Sequence, residues 1–172
     1  MAIVRKEEHT FKGKPLTLVG PRLQPGDRLP DFTLLDRAFA VVTAAQTPPK
    51  VRIFSVVPSL DTPVCDLQGR RFNEEAGHLG EAAAVYTVSM DTPFAQGRWC
   101  GASGARNMTV LSDLYDGTFG QGFGVHILEM GLLARSVFVF DAEGILRYAE
   151  YVPEFTELPD YERALEAAKA LL

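Results

Sequence analysis

Apolar and polar positions alternate along residues 10–19, TFKGKPLTLV, with a Gly-Lys pair between the two runs, which predicts a β-hairpin. A Pro/Gly-rich connector, GPRLQPGDRLP (20–30), leads to two strand candidates, DFTLLD (31–36) and FAVVTA (39–44), and QTPPK (46–50) reads as a turn. VRIFSVV (51–57) is β-branched and apolar with one interruption, Arg52, the pattern of a buried central strand. A helix is predicted from Pro63 to about Gly77, a strand over AAVYTVSM (83–90), a second helix from Pro93 to about Gly101, and a strand over MTVLSD (108–113). LYDGTFGQGFGV (114–125) is Gly-rich with room for one helical turn. LLARSVFVFD (132–141) and ILRYAEYV (145–152) flank the turn AEG as a hairpin. In PDYERALEAAKALL (159–172), Tyr161, Leu165, Ala168 and Leu172 recur at helical spacing.

This order is a β-hairpin, then βαβα, then ββα. The first half calls for a parallel crossover and the tail for an antiparallel hairpin. The expected architecture is therefore α/β, a mixed central sheet flanked by helices with an N-terminal β-hairpin. A strand–helix–strand unit with a cysteine at the helix start is what a thioredoxin-like fold needs. With no linker or repeat, the 172 residues are expected to form a single domain, 1–172.

Composition narrows the partners. Lys and Arg number 17 against 22 Asp and Glu, a net charge of −5, which gives no electrostatic footprint for nucleic acid. No apolar run approaches the ~20 residues of a membrane span. The N-terminus has neither an apolar core nor a small-residue cleavage site, so a cytoplasmic address, where thiols stay reduced, is expected. No C-x-x-C or H-x-x-x-H spacing provides a metal site. The Gly-rich GTFGQGFG is not in the dinucleotide order, so neither metal nor cofactor is expected.

The candidate chemistry lies with the two cysteines, Cys65 and Cys100, each preceded by an Asp-Thr-Pro: Asp61-Thr62-Pro63 and Asp91-Thr92-Pro93. The tripeptide by itself is a helix-start device, with threonine as cap and proline at the first position. The offset to sulfur differs. Cys65 falls in a first turn, where unpaired N–H groups and the positive end of the helix dipole favour the thiolate. Cys100 is expected at a helix end, in the opposite field, with Arg98 near enough to offset part of it. Cys65 is thus the expected attacker and Cys100 a more ordinary thiol acting second. The three histidines, His9 (a surface strand or tail), His78 (closing the first helix) and His126 (a loop), show no local pairing with either sulfur, which argues against acyl transfer. Disulfide exchange wants both cysteines in one C-x-x-C turn. Attack on a peroxide oxygen, giving a sulfenic acid that a second thiol condenses with, remains. Asp61, Asp66 and Asp91 are read as dipole complements near helix starts, without catalytic roles.

Pro58-Ser59-Leu60-Asp61-Thr62-Pro63-Val64-Cys65 reads P-x-x-x-T-x-x-C and resembles the active-site motif of the peroxiredoxins. The similarity continues through DTPFAQGRWCGASGARN, GLLARSVFVFD and EFTELPDYERALEAAKALL, and is narrowest with their thiol-peroxidase branch. The resemblance implies that Cys65 is the peroxidatic and Cys100 the resolving cysteine, joined as an intramolecular disulfide, with Pro58, Thr62 and Arg135 completing the site. It further implies hydrogen peroxide and organic hydroperoxides as substrates, thioredoxin as the reductant, and a homodimer. Arg135 would supply a fixed positive charge; its alternative is a strand residue reaching solvent. Trp99 stands where the family often has Phe, bears on how readily that helix end loosens, and is a fluorescence probe. The stretch FAVVTAAQTPPK diverges from the family pattern. Because a disulfide needs Cα atoms within ~7 Å, unwinding around both helix ends is expected on oxidation. Phe94, Met108, Leu128, Met130, Leu132 and Leu133 are candidates for an apolar collar or dimer patch, or for core. The rival readings are a peroxide-sensing redox switch using the same cysteine pair, and a binding module with inert cysteines.

Overall fold

The computed structural model describes all residues from Met1 to Leu172. The N-terminal hairpin is longer than its alternation predicted: β1 (Val4–Phe11) pairs antiparallel with β2 (Lys14–Val19) around Lys12 and Gly13, both at positive φ. Then follow β3 (Thr33–Leu35), β4 (Val41–Thr43), β5 (Val51–Val56), α1 (Pro63–Leu79), β6 (Ala83–Ser89), α2 (Pro93–Ser103), β7 (Thr109–Ser112) and α3 (Thr118–Gly122). The chain closes with β8 (His126–Ile127), β9 (Leu132–Leu133), β10 (Ser136–Phe140), β11 (Leu146–Tyr151) and α4 (Tyr161–Lys169). Both long helices overrun the glycines expected to end them. α1 passes Gly77 and stops at Gly80, and α2 passes Gly101 and stops at Gly104, a left-handed cap whose N–H bonds to the Cys100 carbonyl.

Seven strands form one mixed sheet in the order β11-β10-β5-β6-β7-β3-β4. β5, β6 and β7 are parallel, and β10, β11, β3 and β4 are antiparallel additions. The structure thus has the mixed central sheet, flanking helices and N-terminal hairpin of the expected thioredoxin-like class. Odd and even residues of the central strands feed opposite faces. Val51, Ile53, Val85, Val137 and Val139 pack under α1 and α4 with Phe72, Ala76 and Ala164. Phe54, Val56, Tyr86, Val88, Phe138 and Phe140 meet Leu16 and Leu18 of the hairpin, Phe32, and Phe119 and Phe123 around α3. On this second face β8 pairs with β2 and β9, building a small four-stranded sheet.

His126 therefore sits in a two-residue strand rather than a loop, a pairing too short for periodicity to signal. His9 is 1% exposed, not on the surface, and its Nδ1 lies 2.9 Å from the Val152 carbonyl. The Gly-rich stretch is packing: a Cβ on Gly124 (φ +66°) would lie 1.9 Å from the Pro21 carbonyl oxygen. Arg52, the interruption in β5, is buried and donates to Thr47 Oγ1 and to the carbonyls of Asp141 and Ala142.

Candidate active site

β5 ends at Val56, and the loop after it enters α1 through Pro58 and Thr62. Asp91, from the second Asp-Thr-Pro, holds this loop: its carboxylate accepts from Ser59 Oγ at 2.7 Å, from the Leu60 N–H at 2.8 Å and from Ser89 Oγ at 2.8 Å. Pro58 is buried. Thr62 is extended (φ −104°, ψ 147°) and caps α1, its Oγ1 accepting from the Cys65 N–H at 3.4 Å while donating to the Ser59 carbonyl at 3.1 Å. Pro63 fills the first helical position, where its missing N–H costs nothing. Cys65 thus lies in the first turn of α1, at its positive end, and is 0% exposed.

Arg135 comes from the far side of the sequence. β10 runs antiparallel to β5 with Ser136 opposite Val56, so the residue before Ser136 is carried to the C-terminal end of β5 and the start of α1. Its side chain is 1% exposed, which excludes a solvent-reaching strand residue. Nη2 donates to Cys65 Sγ at 3.3 Å and to the Phe155 carbonyl at 3.1 Å, and Nη1 donates to Gln68 Oε1 at 2.8 Å. No carboxylate pairs with it. A buried guanidinium is costly unless a charge or several acceptors compensate it, and here the sulfur is the ionisable group within hydrogen-bond reach.

Gln68, one turn beyond Cys65, fixes that guanidinium: its Nε2 donates to Ser55 Oγ at 2.9 Å and to the Val56 carbonyl at 3.3 Å, which turns Oε1 toward Arg135. Sequence reasoning missed this residue; the only signal was an uncharged polar side chain on the sheet-facing side of α1. The Phe155 carbonyl is likewise held from outside. Thr10 bonds to the Pro153 and Phe155 backbone, and the Glu154 carboxylate accepts from Thr10 Oγ1 and from the N–H groups of Lys12 and Gly13. These bonds hold the Glu154 carboxyl well below its ordinary range, at about 2.

Cys100 sits elsewhere. It lies in the last turn of α2, 6% exposed, and lines a cavity of about 320 Å³ with Arg37 and Met108. Burial pushes its thiol up, and Arg37 pulls part of the way back. The charge beside it is therefore Arg37, not Arg98, which is exposed and reaches Asp61 at 3.7 Å. The expectation for Arg98 fails because helical spacing turns its side chain toward the start of α1. Both cysteines are free thiols. Of the proposed collar, Leu133 is core, Phe94 is 77% exposed and packs against Phe39 with ring centroids 4.9 Å apart and planes tilted by 57°, and Leu128 is exposed. His78 is exposed near Glu75, and His9 packs against Phe155. No cluster of three or more His, Cys, Asp or Glu side chains is placed to hold a metal ion. No helix is long and apolar enough to cross a membrane.

A buried thiol at a helix start, facing a guanidinium, can attack an electrophile and be stabilised as charge moves. The family model described as Redoxin matches residues 24–165. The thiol peroxidase of Bacillus subtilis (strain 168) is 56% identical over 165 residues, covering 96% of this chain and 98% of the relative. Among solved structures, a peroxiredoxin-like protein from Aquifex aeolicus superposes with a TM-score of 0.90 at 38% identity, covering 96% of this chain and 98% of that one. A thiol peroxidase from Chromobacterium violaceum shares the fold at a TM-score of 0.84 and 19% identity, covering 94% and 95% of the two chains.

Proposed function

Because the chain belongs to the redoxin family, and within it to the thiol-peroxidase branch of the peroxiredoxins, we propose that Cys65 is its peroxidatic and Cys100 its resolving cysteine. The chain is a thiol-dependent peroxidase, an oxidoreductase acting on peroxides. The observation that carries the assignment is the 3.3 Å contact between Arg135 Nη2 and Cys65 Sγ, buried at a helix N-terminus.

The Cys65 thiolate attacks one oxygen of hydrogen peroxide or an organic hydroperoxide. The O–O bond breaks, the second oxygen leaves and takes a proton as water or alcohol, and Cys65 becomes a sulfenic acid. Arg135 stabilises the thiolate beforehand and donates toward the charge that develops on the leaving oxygen. Thr62 offers a hydroxyl beside the sulfur, and Pro58 shields the thiolate from water. The Cys100 thiol then attacks the Cys65 sulfur. The sulfenic hydroxyl departs as water with the thiol proton, leaving the Cys65–Cys100 disulfide. A thioredoxin-type dithiol reduces it, and its steady supply places the cycle in a reducing compartment, the cytoplasm. The full 172 residues work as one domain, since the hairpin's Leu16 and Leu18 share a core with the central sheet. The exposed Phe39–Phe94 pair supports a homodimer.

Peroxide consumption with thioredoxin and its reductase, measured for wild type, Cys65→Ser and Cys100→Ser with products weighed by mass spectrometry, tests the reading. Cys65→Ser is expected to be inactive, and Cys100→Ser to form one sulfenic acid without turning over. Activity in Cys65→Ser would sink the assignment. Continuous turnover in wild type separates a peroxidase from a one-event sensor.

A further inference from the structure

Cys65, Trp99 and Cys100 belong to one buried cluster, and the contact with α1 is made by Trp99, the residue before Cys100. Successive helical residues point ~100° apart. Cys100 opens onto the cavity with Arg37 and Met108, whereas the indole of Trp99 lies on α1. Its Nε1 donates to Asp66 Oδ1 at 2.8 Å. Its six-membered ring covers Gly69 so closely that a Cβ there would stand 2.9 Å from two ring carbons. Asp66 also pairs with Arg70 at 2.9 Å, and Arg70 Nη1 reaches back to the Ser103 carbonyl at the end of α2, at 3.4 Å. Asp66 and Gly69 lie within the turn of α1 that begins at Cys65, so the indole packs between the end of α2 and the turn that carries that sulfur.

We propose that Trp99, seated on Gly69 and bonded to Asp66, is a latch that holds the two cysteines apart and sets how fast the Cys65 sulfenic acid is resolved. Trp99 and Asp66 are positioning residues: they act through the packing of α2 on α1 and exchange no atom or proton with the peroxide or the sulfurs. While the latch is closed, Cys65–SOH persists. A second hydroperoxide can then oxidise it, transferring one oxygen to give the sulfinic acid and releasing another water or alcohol. When the indole leaves Gly69, the end of α2 unwinds from its Gly104 cap and Cys100 turns toward α1. This inference rests on the assignment of Cys65 and Cys100 above.

The test is rapid-quench mass spectrometry of the sulfenic, disulfide and sulfinic forms after a peroxide pulse. Wild type is compared with Trp99→Phe, Asp66→Ala, Asp66→Asn and Gly69→Ala. Trp99→Phe keeps an aromatic ring but loses the N–H and the two ring carbons seated on Gly69; Asp66→Asn keeps an acceptor; Gly69→Ala displaces the indole while leaving both latch residues in place. Trp99→Phe and Asp66→Ala are expected to resolve about tenfold faster, the effect of losing one charge-assisted hydrogen bond, Gly69→Ala to resolve faster because its Cβ pushes the indole off its seat, and all three to need more peroxide for the same sulfinic fraction. Sulfenic acid formation should stay at the wild-type rate, and Asp66→Asn, which offers a neutral acceptor of about half the strength, should resolve more slowly than Asp66→Ala. In wild type, fluorescence of the single tryptophan should change with disulfide formation and not with the first oxidation. Resolution at the wild-type rate in Trp99→Phe and Gly69→Ala overturns the latch while leaving the peroxidase assignment intact. Absence of any Cys65–Cys100 disulfide in wild type overturns that assignment and the latch with it.

Discussion

Replacing Arg135 with methionine keeps much of its length and removes its charge. The guanidinium nitrogen stands 3.3 Å from Cys65 Sγ with no carboxylate competing for it. With the centres of charge about 4 Å apart and an effective dielectric near 20, thiolate and guanidinium attract by about 4 kcal/mol. Measured from the protonated thiol, a transition state that keeps most of that attraction puts about 10³-fold in rate at stake. Stability should respond differently. Gln68 Oε1 and the Phe155 carbonyl lose a donor, at about 1–3 kcal/mol each, while the desolvation cost of a buried cation disappears. Arg135→Met is therefore expected to cut the second-order rate of Cys65 oxidation by two to three orders of magnitude, roughly, with the melting temperature little changed. Stopped-flow peroxide mixing gives the first quantity and thermal unfolding the second. Arg135→Lys should fall between, because one ammonium keeps the charge but cannot fork across three acceptors. An Arg135→Met rate within tenfold of wild type would refute the electrostatic account of the site.

Gln68→Ala should lower the oxidation rate less than Arg135→Met does, by about tenfold, since the guanidinium stays but loses the acceptor that aims it; equal loss in the two variants would count against a positioning role. Gly124→Ala should destabilise the fold by more than ~3 kcal/mol in denaturant titration, because the added Cβ meets a backbone oxygen at 1.9 Å and φ is left-handed. Asp113 is fully buried and its carboxyl is pushed up to about 6, so the folded state holds a proton that the unfolded chain releases near 3.8; its contribution to stability is lost as pH rises through that window, by at most ~3 kcal/mol, and Asp113→Asn should flatten the profile there. His9 acts in the opposite sense: burial, with a smaller push from Arg135, lowers its folded value, so its contribution is lost as pH falls below the ordinary 6.5, and His9→Phe should remove that part of the acid limb. The two effects oppose one another, so thermal melts of the single variants between pH 4 and 7 will show what the wild-type profile hides.

Residue order alone determined the parts that depend on near neighbours. Strand alternation, threonine caps and prolines at first helical positions act within a few residues, so the strand–helix–strand unit and the first-turn place of Cys65 were legible. Pro58, Thr62 and Arg135 were singled out through a spaced motif and a family resemblance rather than through periodicity. Tertiary structure decided everything that depends on register between distant segments. Ser136 lies opposite Val56, and that pairing delivers Arg135 to the sulfur. Gln68 matters because α1 sets it over Ser55, and Arg37 rather than Arg98 approaches Cys100 because of how α2 is turned. His9 is buried because its strand closes against Val152, a partner 143 residues away. Thr62 and Thr92 cap their helices in the same way, yet Cys65 meets the buried Arg135 in the first turn of its helix and Cys100 meets Arg37 in the last turn of its own. Such contacts join residues whose separation along the chain carries no periodic signal; packing and sheet register alone bring them together.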